Sequence, residues 1–209
     1  MKRTDIILTA GTLVLALLAG AVLAATETLD GFLSWAWERH HNVLSWYIRP
    51  LFLLPLAYFA YRRSLSGIVL TLVALATSMF WFPAPERVDP RVEAFLAFER
   101  EWLTGEWTTE KMVLALTVPL IVGVLCLAFW KRSLAWGLVI INAIAVTKMV
   151  WGVIDGAGSG WVMLGPALSG LLICNAVVLY AARRVRARSS RYLRRPAPAT
   201  SPRDHASDL

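Results

Sequence analysis

The chain has 209 residues, of which 57% are hydrophobic and only 17% are charged. Its mean hydropathy is +0.58. Soluble domains of this size contain about 45–50% apolar and about 25% charged residues. Because the apolar excess lies in long runs, the composition excludes a soluble enzyme domain, a disordered chain and a nucleic-acid-binding protein, in spite of a net charge of +7. The sequence therefore predicts a multi-pass membrane protein.

Six apolar runs approach the roughly 20 residues that a helix needs to cross the hydrocarbon core. They are continuously apolar, which favours helices over the alternating pattern of membrane strands. We predict an all-α, polytopic helical bundle that forms one membrane domain over residues 1–186, followed by a disordered, Arg- and Pro-rich cytoplasmic tail over 187–209. The predicted spans are 6–25, 44–61, 65–82, 112–130, 134–154 and 161–182.

The first run admits two interpretations. Basic residues precede it, and Val22-Leu23-Ala24 resembles the small-residue cleavage site of a signal peptide. The run is longer than a usual signal core, however, and Ala16, Gly20 and Ala24 form a packing stripe with a spacing of four. We favour an uncleaved helix and six spans, whereas cleavage would leave five.

Lysine and arginine are concentrated on one side of the predicted bundle. That side has 14 of the 21 basic residues against 3 acids, net +11, and the other side has 5 basic residues against 11 acids, net −6. The positive-inside rule then predicts two cytoplasmic termini and outward-facing long loops. Arginine outnumbers lysine and alanine is common, which suggests a bacterial source and a location in the bacterial plasma (inner) membrane.

The second and third spans resemble the fourth and fifth. The turn Tyr61-Arg62-Arg63-Ser64-Leu65 aligns with Trp130-Lys131-Arg132-Ser133-Leu134, and Pro50 falls at the same offset as Pro119. Self-similarity of this kind indicates an internal repeat. We predict a duplicated hairpin over 32–82 and 95–151. The alternative is two unrelated hairpins that share basic turns and aromatic belts because they share a topology.

Two outward-facing segments are predicted to be amphipathic helices, 32–44 and 91–103. Asp89-Pro90 is a favourable start for the second one, because Asp can cap it and Pro suits its first turn. Glu99 lies near the middle of the second apolar face, where a carboxylate needs a partner or water. The predicted apolar residues are Phe32, Leu33, Trp35, Ala36, Val43 and Leu44 in the first segment, and Val92, Phe95, Leu96, Trp102 and Leu103 in the second.

Arg49 and Lys148 lie inside predicted spans, in the outer third of the membrane, and contribute the remaining +2 of the net charge. Charges at such positions are costly and commonly mark functional sites, although long cationic side chains can also reach the headgroups. We expect Glu99 to meet one of the two. The candidate ligand-binding residues are His40, His41, Arg49, Glu99, Lys148 and Asp155, the last of which shares approximately the helical face of Lys148.

We predict neither a metal ion nor another cofactor, and we assign no catalytic residue. His41 is about 100° round the helix from His40, so the two imidazoles diverge. A zinc site needs three or four ligands, and Cys126 and Cys174 lie inside spans without the required spacing. Asn142 and Asn175, nearer mid-membrane, are predicted to form hydrogen bonds between helices.

Three functions remain open at this stage. The first is binding or transport of an anionic lipid, a small organic anion or another amphiphile through an outward-facing polar pocket. The second is a structural or assembly subunit, because eight of the ten tryptophans lie near the outer boundary and such a surface suits a partner membrane protein or a second copy of the chain. The third, which we favour least, is an enzyme for a lipid or envelope substrate with Glu99 and His40 as acid and base.

Overall fold

The computed structural model describes residues 3–25, 28–155 and 158–193, and within these ranges the chain is helical and has no strand. The α-helices are α1 (Arg3–Ala25), α2 (Leu29–His40), α3 (Val43–Ile48), α4 (Leu53–Tyr61), α5 (Leu65–Thr77), α6 (Pro90–Thr104), α7 (Thr109–Trp130), α8 (Leu134–Asp155) and α9 (Leu164–Leu193). Short 3-10 helices cover Arg49–Phe52, Ser78–Phe80 and Ser159–Met163.

Five helical stretches in the described part are long and apolar enough to cross a membrane. This agrees with the predicted helical membrane bundle. The remaining predicted span, 65–82, corresponds to a shorter apolar stretch, Leu65–Phe80, that ends in a 3-10 turn. The five long stretches are Thr4–Val22, Val43–Tyr61, Thr109–Trp130, Leu134–Ile154 and Ser159–Ala187.

The bundle has two chemically different ends. One carries both hairpin turns and the charged part of α9, including Arg63, Arg132 and Arg186, and we call it the basic end. The other carries α2 and α6 together with the aromatic contacts around them, and we call it the aromatic end. Helix α9 continues to Leu193, so the predicted tail is helical from 187 to 193, while its remainder lies outside the described residues.

The main core is formed where α4, α7, α8 and α9 meet. Leu56, Leu125, Phe129 and Ile141 are buried there, and Cys174 packs against them. Lipid tails are as apolar as leucine, so van der Waals packing and hydrogen bonds hold these helices together more than exclusion of water does. Asn142 and Asn175 confirm their predicted role, because each amide donates to the other across α8 and α9 at 3.0 and 3.3 Å.

The two hairpin turns share one backbone geometry. Arg63 and Arg132 both adopt a left-handed conformation, with φ of 57° and 59°. The amides of Ser64 and Ser133, one residue later, donate back to the carbonyls of Phe59 and Ala128 at 3.0 Å. This is the Schellman arrangement, which satisfies the last carbonyls of a helix. The shared turn is compatible with the predicted duplication, which stays a prediction.

Helix α1 packs on α5 through one polar contact near its start. The Asp5 carboxylate accepts hydrogen bonds from the amides of Leu65 and Ser66, at 3.0 and 3.1 Å, and from the hydroxyls of Ser64 and Ser66. The first amides of a helix lack intrahelical acceptors and its N-terminus carries partial positive charge, so a carboxylate is a favourable partner. A residue of α1 thus caps α5.

The predicted amphipathic segments differ in how they form. Helix α6 matches its prediction: Asp89 caps it, and Val92, Phe95 and Leu96 are buried, although Leu103 is exposed. The segment 32–44 is divided at Asn42, whose side chain accepts from the amide of Leu44 at 3.1 Å and starts the new helix α3. The division makes α2 a separate helix that ends at His40.

Candidate functional site

Four elements bring charged and polar side chains together at the aromatic end. His40 is the last residue of α2. Arg49 is the first residue of the 3-10 helix that follows α3, and Pro50 is the second. Glu99 lies on α6 and Lys148 lies on α8. With Ser45, these residues form what we call the polar cluster. It contains four of the six predicted site residues.

Hydrogen bonding assigns a protonation state to His40. The Ser45 hydroxyl donates to the carbonyl of Asn42 at 2.8 Å, so it can only accept from His40 Nδ1, which lies 3.5 Å away. His40 Nε2 is then the unprotonated nitrogen, and it accepts from Arg49 Nη1 at 3.3 Å. The chain from Arg49 to the Asn42 carbonyl is therefore consistent with a neutral imidazole.

The electrostatic environment agrees with a neutral His40. Burial, followed by the positive charges of Arg49, His41 and Lys148, lowers the pKa of His40 to about 3. Loss of water penalises the imidazolium, and neighbouring cations penalise it further. Lys148 forms an ion pair with Glu99, and its charge also lowers the pKa of His40. The His40–Arg49 pair and the Glu99–Lys148 pair are therefore electrostatically coupled.

Of the two cations that Glu99 was expected to meet, Arg49 and Lys148, it contacts Lys148. Lys148 Nζ donates to Glu99 Oε1 at 2.9 Å, with 42% of the Lys148 side chain and 21% of the Glu99 side chain exposed. The ammonium group also lies 4.4 Å from the centre of the Trp151 ring, within cation–π distance. The ion pair connects α6 to α8 at the aromatic end.

Arg49 has a different environment. Two ion pairs form among the described residues, Arg91 with Asp89 and Lys148 with Glu99, and neither includes Arg49. Its hydrogen bond goes to the neutral His40, while the field of Glu99 reaches it without direct contact. The cluster thus has two cations and one carboxylate, so its net charge is +1 when His40 is neutral.

Aromatic side chains surround the cluster. The His40 ring lies between Trp37 and Trp46, with ring centres 5.9 and 6.0 Å away, and Trp46 packs edge-on against Phe95 at 5.7 Å. Trp46 is buried, and its indole nitrogen donates to the His40 carbonyl at 2.9 Å. These contacts fix the end of α2 against α3. Neither Trp46 nor Ser45 is among the site residues predicted from the sequence, in which Trp46 is one of the eight tryptophans near the outer boundary.

The remaining two predicted residues are His41 and Asp155. His41 Nδ1 is 2.9 Å from the carbonyl of Trp37, so the adjacent histidines use different partners, as the helical geometry predicted. Asp155 is the last residue of α8, and its side chain lies outside the described residues. In the described ranges, no three His, Cys, Asp or Glu side chains are grouped closely enough to hold a metal ion.

Two surface grooves lie away from the polar cluster. One runs along α7 beside Thr109 and Thr117. The other, of about 350 Å³, lies at the basic end between α8 and α9, where Arg132 and Arg186 line it. Neither groove is lined by a residue of the polar cluster.

Comparison of the chain with protein-family models, curated proteins and solved structures gives no match.

Proposed function

We propose that the polar cluster binds the negatively charged head of an amphiphile at the outer surface of a bacterial plasma membrane. The observation that carries this proposal is the imbalance of charge at Arg49. Its guanidinium is half-buried, its described hydrogen bond goes to a neutral imidazole, and the nearby Glu99 is already paired with Lys148. A charge so placed is costly unless an anion or water compensates it.

The geometry of a guanidinium favours a phosphate or a carboxylate. Arginine has five N–H donors in a planar fork that matches the oxygens of these groups, and His40 accepts from one nitrogen of Arg49. Lys148 supplies a second cation, and the partly exposed rings of Trp37 and Trp151 lie beside His40 and Lys148. A ligand with an anionic head and an apolar tail would suit both parts.

The direction of the site follows from the distribution of charge. If the basic end faces the cytoplasm, as the positive-inside rule predicts, both termini are cytoplasmic and the polar cluster faces outward. Binding is better supported than transport, because Asn142 and Asn175, the polar pair nearer mid-membrane, satisfy each other across α8 and α9.

The test is a titration of the purified full chain in mild detergent. We expect decyl phosphate to change tryptophan fluorescence at lower concentration than the zwitterionic decyl phosphocholine, with both kept below micelle formation. Arg49→Gln should weaken binding of decyl phosphate at least about tenfold, the loss expected for a charge-assisted, two-pronged hydrogen bond. Arg39→Gln is the matched control, because Arg39 lies at the same end but packs over Trp35, 4.0 Å from the ring centre. Equal losses in the two variants, or equal affinities for the two amphiphiles, would contradict the proposal.

A second function is favoured by a separate observation. Phe32, Trp35 and Phe80 form an aromatic group at the aromatic end, next to the Phe52–Trp81 pair. Trp35 and Trp81 remain 39% and 48% exposed. Exposed aromatic groups of this size are common at protein interfaces, so the chain would then be a subunit that docks a partner membrane protein. Chemical crosslinking in native membranes would capture a partner of fixed stoichiometry, and Trp35→Ala with Trp81→Ala should abolish the product.

The enzyme alternative has the least support from the geometry. A histidine with a pKa near 3 is a weak base at neutral pH. Glu99, the other member of that pair, is held by Lys148. The Ser45 hydroxyl donates to a backbone carbonyl and is not directed towards the imidazole as a nucleophile would be.

A further inference from the structure

The groove at the basic end lies on the opposite side of the bundle from the polar cluster. Ten residues line it, including two arginines and no acid. Arg132 stands at the turn between α7 and α8, and Arg186 stands on α9. The remaining wall is largely apolar, with Leu138 and Val178 towards the bundle and Val185 at the surface. The groove thus combines positive charge with a hydrophobic surface.

The other hairpin indicates which chemistry the turn accepts. In the first hairpin the corresponding helix start, Ser64 to Ser66, receives the carboxylate of Asp5 on two amides and two hydroxyls. In the second hairpin the matching residues Ser133, Leu134 and Ala135 line the groove beside the two arginines. Both turns have the same Schellman geometry, so both present the first amides of a helix in the same way. At the start of α5 the bound anion is therefore a carboxylate of the chain itself, that of Asp5.

We propose that this groove binds an anionic phospholipid, with its phosphate between Arg132, Arg186 and the start of α8 and its acyl chains along the apolar wall. Helix starts and arginines both bind phosphate, and basic sites between membrane helices recognise anionic headgroups. The guanidinium of Arg132 lies 5.5 Å from the centre of the Tyr61 ring, which restrains it at the turn. The apolar wall favours a lipid over a free phosphate ion, because only the lipid has acyl chains that can pack along it.

The experiment measures lipid binding to the purified full chain by native mass spectrometry. The probes are dioleoyl phosphatidylglycerol, dioleoyl phosphatidylcholine and inorganic phosphate. We expect phosphatidylglycerol to bind in preference to phosphatidylcholine. Arg132→Gln with Arg186→Gln should weaken phosphatidylglycerol binding about thirtyfold, since each arginine near an anionic lipid surface strengthens binding about fivefold. The matched control is Arg62→Gln with Arg183→Gln, which removes the same charge at the same end outside the groove.

A second variant tests the apolar part independently of charge. Ala182 lines the groove, so Ala182→Phe should fill it and weaken phosphatidylglycerol binding while both arginines remain. Equal affinity for the two lipids, equal losses in the groove and control variants, unchanged binding in Ala182→Phe, or displacement of the lipid by millimolar phosphate would each overturn the proposal. Arg49→Gln should leave phosphatidylglycerol binding intact, because Arg49 belongs to the polar cluster and does not line the groove. The two proposed sites can therefore fail independently of each other.

Discussion

The ion pair between Glu99 and Lys148 should determine how firmly α6 is held on the bundle. At 2.9 Å, Coulomb's law gives about 6 kcal/mol for an effective dielectric constant near 20, before desolvation is subtracted. Solvent reaches both groups, with 42% and 21% of their side chains exposed, and partly exposed pairs contribute about 0.2–1 kcal/mol. We therefore expect a coupling free energy of about 1 kcal/mol, near the top of that range because Glu99 is the less exposed partner.

The coupling is measurable as local opening of α6. Glu99→Gln, Lys148→Met and the double variant form a cycle, and hydrogen exchange of the α6 amides in nanodiscs reports the opening equilibrium. Glu99→Gln alone should increase opening about fivefold, the equivalent of about 1 kcal/mol. In the Lys148→Met background the same change should have a smaller effect, because the carboxylate has lost its direct partner and only the more distant Arg49 remains.

Glu101→Gln provides the control for this cycle, since Glu101 is an exposed carboxylate on the same helix and belongs to neither described ion pair. Val92, Phe95 and Leu96, which pack α6 on the bundle, are not substituted in any variant. Equal effects of Glu99→Gln and Glu101→Gln, or an undiminished effect of Glu99→Gln in the Lys148→Met background, would exclude a stabilising ion pair between Glu99 and Lys148.

Three further predictions concern packing, hydrogen bonding and pH. A Cβ at Gly170 would lie 2.3 Å from Pro50 Cβ, so Gly170→Ala should lower the free energy of unfolding by about 1–3 kcal/mol. Gly123→Ala, with open space at its Cβ, should be neutral or stabilising in the same denaturation assay, and equal losses would contradict the packing argument. Asn175→Leu leaves the Asn142 amide without its partner across α8 and α9 and should cost about 1 kcal/mol. Asn142→Leu with Asn175→Leu should cost less than the sum of the single changes, and strict additivity of the unfolding free energies would argue against the pair. Finally, the pKa of His40 falls on folding from about 6.5 to about 3, so below pH 6.5 the unfolded state binds more protons and stability falls as the pH falls. Between pH 7 and pH 5 the loss should be about 2 kcal/mol, and thermal denaturation of His40→Gln should lack this component; identical pH dependence in both proteins would exclude it.

Much of the bundle can be predicted from local patterns in the sequence. Long apolar runs give the five spanning helices, since a lipid-exposed backbone must satisfy its own hydrogen bonds. The 3.6-residue periodicity also directs Glu99 towards the bundle, where it meets Lys148. The stretch 65–82 forms a shorter apolar helical segment, Leu65–Phe80, so a sixth span stays a prediction. Phe80 contacts Trp35 and Trp81 contacts Phe52 at the aromatic end.

The centre of the polar cluster required tertiary information. The apolar pattern of 32–44 runs through His41 and Asn42 without interruption, yet the Asn42 side chain caps α3 and divides the segment. That division is what brings His40 and Arg49, nine residues apart, within hydrogen-bond distance. The side-chain carbonyl of an asparagine can accept from a backbone amide two residues later, and this hydrogen bond competes with continuation of the helix. The periodicity of apolar residues carries no information about that competition.

The differences between the two hairpins are more informative than their resemblance. In the predicted alignment Arg49 corresponds to Val118, which is 62% exposed, at the offset that aligns Pro50 with Pro119. One residue out of step, Thr77-Ser78-Met79 aligns with Thr147-Lys148-Met149, so Lys148 corresponds to Ser78, a buried residue whose hydroxyl donates to the Leu75 carbonyl. At the basic end, one helix start receives the Asp5 carboxylate and the other lines an arginine-rich groove. If the hairpins descend from a duplication, the shared fold needs neither of the intramembrane cations. The two intramembrane cations therefore each occur in one hairpin only, which is the arrangement expected when a charge serves a ligand and is not needed for the shared fold.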